Sequence, residues 1–398
     1  MALNADNGLV TQKSNTPQSD GQGPEIDYSI FAFYNEHSLA AGRVVMGQLR
    51  PGLTPESTEV REVSDGWAGS VGMREGPRGW ELFLFKTAKR SERWWLHVLL
   101  LLATLFSTVV AGSLLAGHAP ILFRGVQLYG GWWLPVPTAF HLGALPPGLP
   151  FGLALVAILA VHEAGHYFVA RHYGISVTPP FFIPFPPYVS IIGTLGAFIR
   201  LRSPVLSRTA LLDVGVAGPL ASFAAALPVL WWGLVQSSVL AISEAGPSPY
   251  MVQFAGEHFW LGGSVAMSAF SRLALGFVGD QHVLVLHPIA FAGWLGLFVT
   301  ALNLLPISQL DGGHILYALL GKRQKPLAWL FFALLIPLGW LWPGWWVWAV
   351  LVFAIGRGRV QHPPIFNTES GPTGPRLLLG TAAVLMFVIC FVPVPFVL

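Results

Sequence analysis

Two histidines and a glutamate lie inside an apolar stretch near the middle of the sequence, where residues 161–167 read VHEAGHY. On a helix, positions i and i+4 share one face, so His162 and His166 can direct two imidazoles at one ion, with Glu163 beside them. Inserting an ionisable side chain at bilayer depth costs on the order of 2.5 to 3.5 kcal/mol, so such a residue is expected to have a function there. The spacing is that of a zinc protease.

A second stretch, residues 303–314, reads NLLPISQLDGGH and follows an apolar run. Pro306 removes a helical hydrogen bond, and Gly312 and Gly313 loosen the next turn, so the helix is predicted to break and expose Asp311. A buried aspartate needs a partner that offsets its desolvation. We therefore interpret Asp311 as a ligand or ion-site residue.

Together the two stretches supply the donor set of a catalytic zinc site, which commonly has two histidines, one carboxylate and an open position for water. The predicted ligands of one Zn²⁺ per chain are His162, His166 and Asp311. Glu163 is predicted to be the general base that takes the proton of the attacking water. Asn303 is predicted to donate a hydrogen bond to the developing oxyanion.

The composition indicates a membrane protein. Of the 398 residues, 54% are hydrophobic and 10% charged, and the mean hydropathy is +0.60, whereas soluble domains carry about 25% charged residues. The net charge of +3 is small for this length, so nucleic acid is not expected as a partner. Cys390 is the single cysteine, so a metal site would have to use histidine and carboxylate.

We predict an α-helical polytopic membrane protein with about six or seven membrane segments. Residues 1–25 are expected to be a disordered tail. Residues 26–90 are expected to be a small soluble α+β domain, in which no cluster of histidines or acids indicates a catalytic site. Residues 94–398 would form the membrane metalloprotease domain, with its core at 148–325. The last span is predicted at 377–397.

Charge bias predicts the orientation of this domain in the lipid bilayer. The basic residues just before the first span, which are Lys86, Lys89, Arg90 and Arg93, place the N-terminal domain in the cytoplasm and the C-terminus outside. Residues 118–147 and 237–284 are then external loops. Since no leader or transit peptide is visible at the N-terminus, a bacterial cytoplasmic membrane is expected.

Residues 178–204 are apolar but dense in proline and glycine, so they cannot form one continuous helix. Non-helical backbone is tolerated at membrane depth only where protein or water satisfies its polar groups. We predict a re-entrant β-like hairpin beside the metal site. A plain proline-rich surface loop is the alternative.

The HEAGH run at 162–166, together with the N-x-x-P-x-x-x-L-D-G pattern at 303–312, resembles the site-2 protease family of intramembrane zinc metalloproteases. The resemblance covers roughly residues 94 to 360. The runs at 181–186, 193–198 and 309–314 are most similar to the EGY-like branch of plastids and cyanobacteria.

The resemblance implies cleavage of transmembrane segments in single-pass membrane-protein substrates, typically in regulated intramembrane proteolysis. It also implies that the substrate is held as an added strand against an edge of the hairpin. The candidate substrate-binding residues are Gly193, Thr194, Leu195 and Gly196. A PDZ module, which many family members carry, is not visible in this sequence.

Two other functions remain open from the residues alone. A transporter or channel also uses broken helices and buried acids, but it has no need of an i, i+4 histidine pair with an adjacent glutamate. A non-proteolytic membrane metal-binding protein would keep His162, His166 and Asp311 but would have no use for Glu163.

Overall fold

The computed structural model describes residues 26–39, 42–67, 69–87, 91–127, 133–242, 246–276, 281–363, 365 and 371–397. The predicted disordered tail at 1–25 lies outside the described residues. Among these ranges, four helical stretches are long and apolar enough to cross a bilayer. They are Trp94–Leu115, Leu142–His172, Arg208–Val235 and Asp311–Leu341. The chain is therefore a polytopic membrane protein.

The N-terminal part folds as an antiparallel sheet with one helix. In chain order it comprises β1 (Phe31–Leu39), β2 (Gly42–Leu49), α1 (Thr58–Gly66), β3 (Ser70–Gly76) and β4 (Gly79–Thr87). The strands are arranged in the order β1-β2-β4-β3. Apolar residues at alternate positions of β2 and β4 pack with Val60 of α1 and form a small core of their own.

Two long apolar helices follow this sheet. They are α2 (Trp94–Leu115) and α3 (Leu149–His172), and between them lies a hairpin of β5 (Ile121–Gln127) and β6 (Trp133–Phe140). Pro150 lies in the first turn of α3, where its missing N–H costs no helical hydrogen bond. Just past the end of α3, Gly174 adopts a φ of 67°, a conformation that favours glycine and stops the helix.

The proline-rich region forms a two-stranded antiparallel hairpin of β7 (Phe181–Pro184) and β8 (Thr194–Phe198). Its backbone is held against α2 between the start and the middle of that helix. Near the start of α2, His97 Nδ1 lies 3.0 Å from the Pro180 carbonyl oxygen. In the middle of α2, Ser107 Oγ donates to the Gly193 carbonyl at 2.7 Å. The hairpin therefore packs beside the apolar helix α2, and its re-entrant position in the bilayer stays a prediction.

The next helix, α4 (Arg208–Val235), is the central helix of the bundle and packs on its neighbours before and after it in the chain. It leads into β9 (Ser238–Ala241), β10 (Tyr250–Phe254), β11 (Glu257–Leu261), α5 (Val265–Leu275) and β12 (His282–Val285). The region predicted as an external loop is thus largely a small sheet. The sheet sits at the C-terminal end of α2, because the Ala255 amide donates to the Leu114 carbonyl at 3.2 Å.

The remaining helices are α6 (Pro288–Asn303), α7 (Asp311–Leu320), α8 (Gln324–Leu341), α9 (Gly344–Ile355) and α10 (Pro375–Cys390). The predicted last span at 377–397 is too long, since α10 ends at Cys390. Pro393 and Pro395 prevent further helix, and the chain continues extended into β13 (Phe396–Val397). This strand pairs with β11, giving the sheet order β13-β11-β10-β12-β9.

Small residues allow α3 and α4 to pack in close contact. A Cβ on Gly165 would lie 2.5 Å from the Ala217 carbonyl oxygen, and a Cβ on Gly218 would overlap the His166 ring. The sequence predicts such an approach from the small residues at 215–218. Asp213, one turn earlier on α4, forms an ion pair with Arg376 of α10, with 3.0 Å between Oδ2 and Nε.

Gly165→Ala tests this close helix contact. The added methyl group should force α3 and α4 apart and destabilise the protein by about 1–3 kcal/mol, as overpacking typically does, despite alanine's better helix propensity. The thermal unfolding midpoint of the detergent-solubilised protein measures the effect. Gly143→Ala is the matched control, because no atom lies within 4 Å of its Cβ position. Equal midpoints for Gly165→Ala and Gly143→Ala would contradict the contact.

Candidate metal centre

The two histidines of the HEAGH run lie one turn apart on α3 and are both buried, at 4% and 7% exposed. Their Nε2 atoms are 3.1 Å apart, with ring centroids separated by 4.8 Å. This arrangement follows from the i, i+4 spacing predicted from the sequence. Both rings therefore present one nitrogen to the same point in the bundle.

Asp311 brings a carboxylate to that point from the opposite side. It is the first residue of α7, which begins after the irregular segment 304–310 that follows α6. Its Oδ2 lies 3.3 Å from His162 Nε2, and its Oδ1 lies 3.3 Å from His166 Nε2. The chain is thus helical up to Asn303 and again from Asp311, with the break between them.

Close backbone packing makes this position of Asp311 possible. The α-carbon of Gly312 faces the carbonyl groups of residues 304 and 305 so closely that a Cβ there would overlap them. Ser308 adopts a φ of 51°, which is uncommon for a residue other than glycine, and its amide donates to the Val360 carbonyl at 2.7 Å. The second glycine, Gly313, is equally close to the backbone of residues 307 and 308.

Helix α7 is also held at its side and at its C-terminus. His362 follows α9, and burial together with the nearby His314 lowers its pKa to about 3, which keeps the ring neutral. Its Nδ1 lies 2.6 Å from the Pro363 carbonyl oxygen, so its Nε2 can accept from His314 Nδ1 at 2.8 Å. At the end of α7, Arg208 donates to the carbonyls of residues 318 and 319.

Hydrogen bonds at the far side of each ring fix which nitrogen carries the proton. His166 Nδ1 lies 2.7 Å from the Val214 carbonyl oxygen, so it must be a donor. His162 Nδ1 lies 3.0 Å from Ser222 Oγ, which also lies 3.1 Å from the Pro219 carbonyl oxygen, so the serine accepts from the ring when its own hydrogen bonds that carbonyl. In this arrangement both neutral rings are protonated at Nδ1, and both Nε2 atoms carry a lone pair.

Two lone pairs and a carboxylate then face one another inside a bundle of apolar helices. The donor atoms of His162, His166 and Asp311 all lie within 4.8 Å of one another. Unless a metal ion or a proton joins them, these atoms would repel each other and remain desolvated. Two neutral imidazoles and one carboxylate are a common ligand set for a divalent metal, so the residues fit a metal ion.

Glu163 is buried beside the trio but is not one of its members. The backbone amide of Ile199, the residue that follows β8, hydrogen-bonds its carboxylate. Asn303, the last residue of α6, lies next to the same point, with its Nδ2 3.3 Å from His162 Nε2. The structure therefore brings all five sequence-predicted residues of the metal centre together.

The four candidate substrate-binding residues divide into two pairs. Gly193 packs against the backbone of Ser107, and the Thr194 hydroxyl donates to the Ile183 carbonyl at 2.8 Å. Both are buried inside the hairpin. By contrast, Leu195 is 62% exposed, and a Cβ on Gly196 would have no atom within 4 Å.

Sequence reasoning missed the groups that orient the ligands. Ser222 and Thr300 are 2% and 0% exposed, and their hydroxyl oxygens lie 3.0 Å apart behind His162. A hydroxyl in a membrane helix is a weak signal because it can bond to its own helix, as Thr300 does to the Gly296 carbonyl. Only the three-dimensional contact identifies its function.

Comparison with known proteins finds a family match in the region of the chain that contains the metal centre. Residues 150–338 match the sequence model of Peptidase family M50. A probable zinc metalloprotease EGY1, chloroplastic, from Oryza sativa subsp. japonica is 32% identical over 230 residues, which are 57% of this chain and 38% of that protein. A probable zinc metalloprotease EGY2, chloroplastic, from Arabidopsis thaliana is 30% identical over 258 residues, 64% of this chain and 44% of that protein.

A further relative, from Oryza sativa subsp. indica, is also named a probable zinc metalloprotease EGY2, chloroplastic. It is 28% identical over 298 residues, which are 74% of this chain and 50% of that protein. The chain thus spans half or less of the length of these curated relatives. No solved structure matches it.

Ser222→Ala tests the hydrogen bond that orients His162. Loss of a partner behind a ligating histidine typically weakens metal affinity by 10- to 100-fold, and we expect a decrease of about that size. Competition with a chromogenic chelator in detergent measures the affinity. Thr381→Ala is the control, because that hydroxyl bonds only within α10, to the Leu377 carbonyl. An unchanged affinity in Ser222→Ala would show that the serine does not orient the ring.

Proposed function

We propose, from the match of residues 150–338 to the Peptidase family M50 model, that this chain is an intramembrane zinc metalloprotease of the site-2 type. It would hydrolyse peptide bonds in or near the transmembrane segments of membrane-protein substrates. The observation that carries the proposal is the convergence of His162, His166 and Asp311 on one point, with Glu163 beside them, among membrane helices.

The proposed ligands of one Zn²⁺ are His162, His166 and Asp311. Zinc held there would lower the pKa of a water molecule and polarise the scissile carbonyl. The chain's own contribution is to keep the ligands deprotonated and fixed. The carbonyl of Val214 and the hydroxyl of Ser222 serve this purpose, because each holds one histidine in the required tautomer.

Glu163 is the proposed general base. Its carboxylate would accept the proton of the attacking water and then transfer it to the nitrogen of the leaving amine. The Ile199 amide supports this role, since it donates to the carboxylate. No metal-binding function requires Glu163, so this residue separates a protease from a metal-binding protein or a transporter.

Asn303 is the proposed hydrogen-bond donor to the oxyanion. Its side-chain amide nitrogen lies near the ligand cluster, 3.3 Å from His162 Nε2. Because Asn303 ends α6 immediately before the break, its side chain can face the ligand cluster and need not pack within the helix.

The free edge of β8 is the proposed docking site for an unwound single-pass substrate. Among the described residues, β8 pairs only with β7, so one edge of the strand has no strand partner. Leu195 and Gly196 lie in this exposed part of the strand. A substrate backbone added there would gain main-chain hydrogen bonds and would extend towards Ile199 and Glu163.

We also propose that the shorter apolar helices α6, α9 and α10 lie within the bilayer, which with the four longer stretches gives seven membrane segments, or six if the hairpin of α8 and α9 does not cross fully. The basic residues before α2 would face the cytoplasm, with the C-terminus external. A bacterial cytoplasmic membrane is part of this proposal, and the names of the plant relatives place those proteins in the chloroplast. Regulated intramembrane proteolysis is the proposed setting.

Glu163→Gln tests the proposed activity. The variant should keep stoichiometric zinc, because Glu163 is not a proposed ligand, but lose cleavage of a single-span peptide by at least about 100-fold. Metal analysis of the purified protein and chromatographic detection of the cleaved peptide measure the two properties.

Glu257→Gln, an exposed residue of β11, is the matched control and should cleave at the wild-type rate. If Glu163→Gln cleaved as fast as the wild type, the general-base assignment would be wrong. If the wild-type protein contained no stoichiometric metal and was unaffected by a chelator, the proposed protease function would be wrong.

A further inference from the structure

The strands of the hairpin extend beyond β7 and β8 towards the start of α2. The Thr178 amide donates to the Arg200 carbonyl at 3.1 Å, and the Arg200 amide donates to the Thr178 hydroxyl at 3.0 Å. One step further, the Arg202 amide donates to the Ser176 carbonyl at 2.7 Å. The segment that contains Ile199 is therefore held in a fixed register with its partner segment.

Glu92 ties this base of the hairpin to the entrance of α2. Its Oε1 lies 2.6 Å from Arg202 Nη1, and its Oε2 lies 3.6 Å from His97 Nε2. His97 in turn contacts the other strand, through the Pro180 carbonyl and by packing on the Phe181 ring at 4.2 Å between centroids. One carboxylate thus connects both strands of the hairpin to α2.

The same segment contacts Glu163 through Ile199, three residues before Arg202 of the ion pair. Ile199 directs its backbone amide at the Glu163 carboxylate, and Arg202 lies further along the same extended segment. The segment is braced between Ile199 and Arg202 by the hydrogen bonds of Thr178. A shift of Arg202 would therefore be transmitted to the amide that holds Glu163.

We infer that Glu92 is a positioning residue for Glu163: through Arg202 and His97 it fixes the hairpin so that the Ile199 amide meets the carboxylate. The inference rests on the proposed function of Glu163 as the general base. A general base must lie within hydrogen-bond reach of the proton that it accepts, and a misplacement of about 1 Å can cost as much as 100-fold in rate.

The ion pair is sheltered enough for its loss to move the hairpin. The side chains of Glu92 and Arg202 are 19% and 25% exposed. Removing the charge of Glu92 leaves the Arg202 guanidinium without this partner in a partly desolvated position, so the arginine should reorient towards water and pull its backbone with it. The ligands His162, His166 and Asp311 are held by other elements and should not move.

Steady-state cleavage by the full chain in detergent tests this positioning role. The probe is a synthetic single-span peptide with an apolar core of about 20 residues and one helix-breaking Asn-Pro pair. We expect Glu92→Gln to lower kcat about tenfold, with KM within about twofold and zinc content unchanged, since the base is displaced while docking and metal ligands persist.

Two further variants serve as controls for this experiment: a charge exchange within the ion pair, and the loss of a matched ion pair elsewhere. The double variant Glu92→Arg with Arg202→Glu should recover kcat relative to Glu92→Arg alone, because the ion pair is restored in reverse. Glu81→Gln breaks the Arg74–Glu81 pair, which is also 2.6 Å long but lies in the N-terminal sheet, and it should leave kcat unchanged.

Hydrogen exchange provides a readout that is independent of activity. In Glu92→Gln, the peptide containing the Ile199 amide should exchange faster than in the wild type, while the α3 peptide containing His162 and His166 should not change.

Three outcomes would overturn the inference: a rise in KM without a fall in kcat, a double variant no better than the single reversal, or unchanged exchange at Ile199. Failure of the wild-type protein to cleave the peptide would instead overturn the proposed function.

Discussion

Three electron-pair donors that converge within an apolar bundle impose the constraint on which the rest of this structure depends. Each ring nitrogen or carboxylate there has lost its water, and the groups repel one another unless a cation joins them. The fold must therefore hold His162, His166 and Asp311 against their mutual repulsion. It does so by bonding the far side of each ring and by anchoring α7 at more than one point.

Glycines make that convergence sterically possible. Gly218 lets the His166 ring lie against the backbone of α4, and Gly312 lets the first turn of α7 pack on the end of α6. A side chain at either position would push a ligand away from the centre. The cost is the conformational freedom of glycine in the unfolded chain, about 1 kcal/mol relative to alanine in a helix. At Gly218 and Gly312 this cost accompanies the close approach of two elements.

A feature of the fold or the site could be predicted from the sequence when the residues that produce it are close together in the chain. The i, i+4 histidines and the broken helix before Asp311 are local patterns, so the sequence alone predicts them. The hydroxyl behind His162 is supplied by α4, and no local pattern of α3 indicates it. The end of α10 was predictable: Pro393 and Pro395 rule out a helix, but the apolar composition of the last segment outweighed that signal.

The hairpin shows why irregular backbone at this depth is useful as well as costly. Its polar groups must be paired, and α2 supplies one partner through Ser107, whose hydroxyl bonds the Gly193 carbonyl. On the other side, the Ile199 amide is paired by Glu163. Along β8 between these two points, one edge has no strand partner among the described residues. Another extended backbone satisfies such an edge best, and a helical segment can do so only after it has unwound. Under the proposed function, the irregular hairpin would be the element that accepts an unwound substrate.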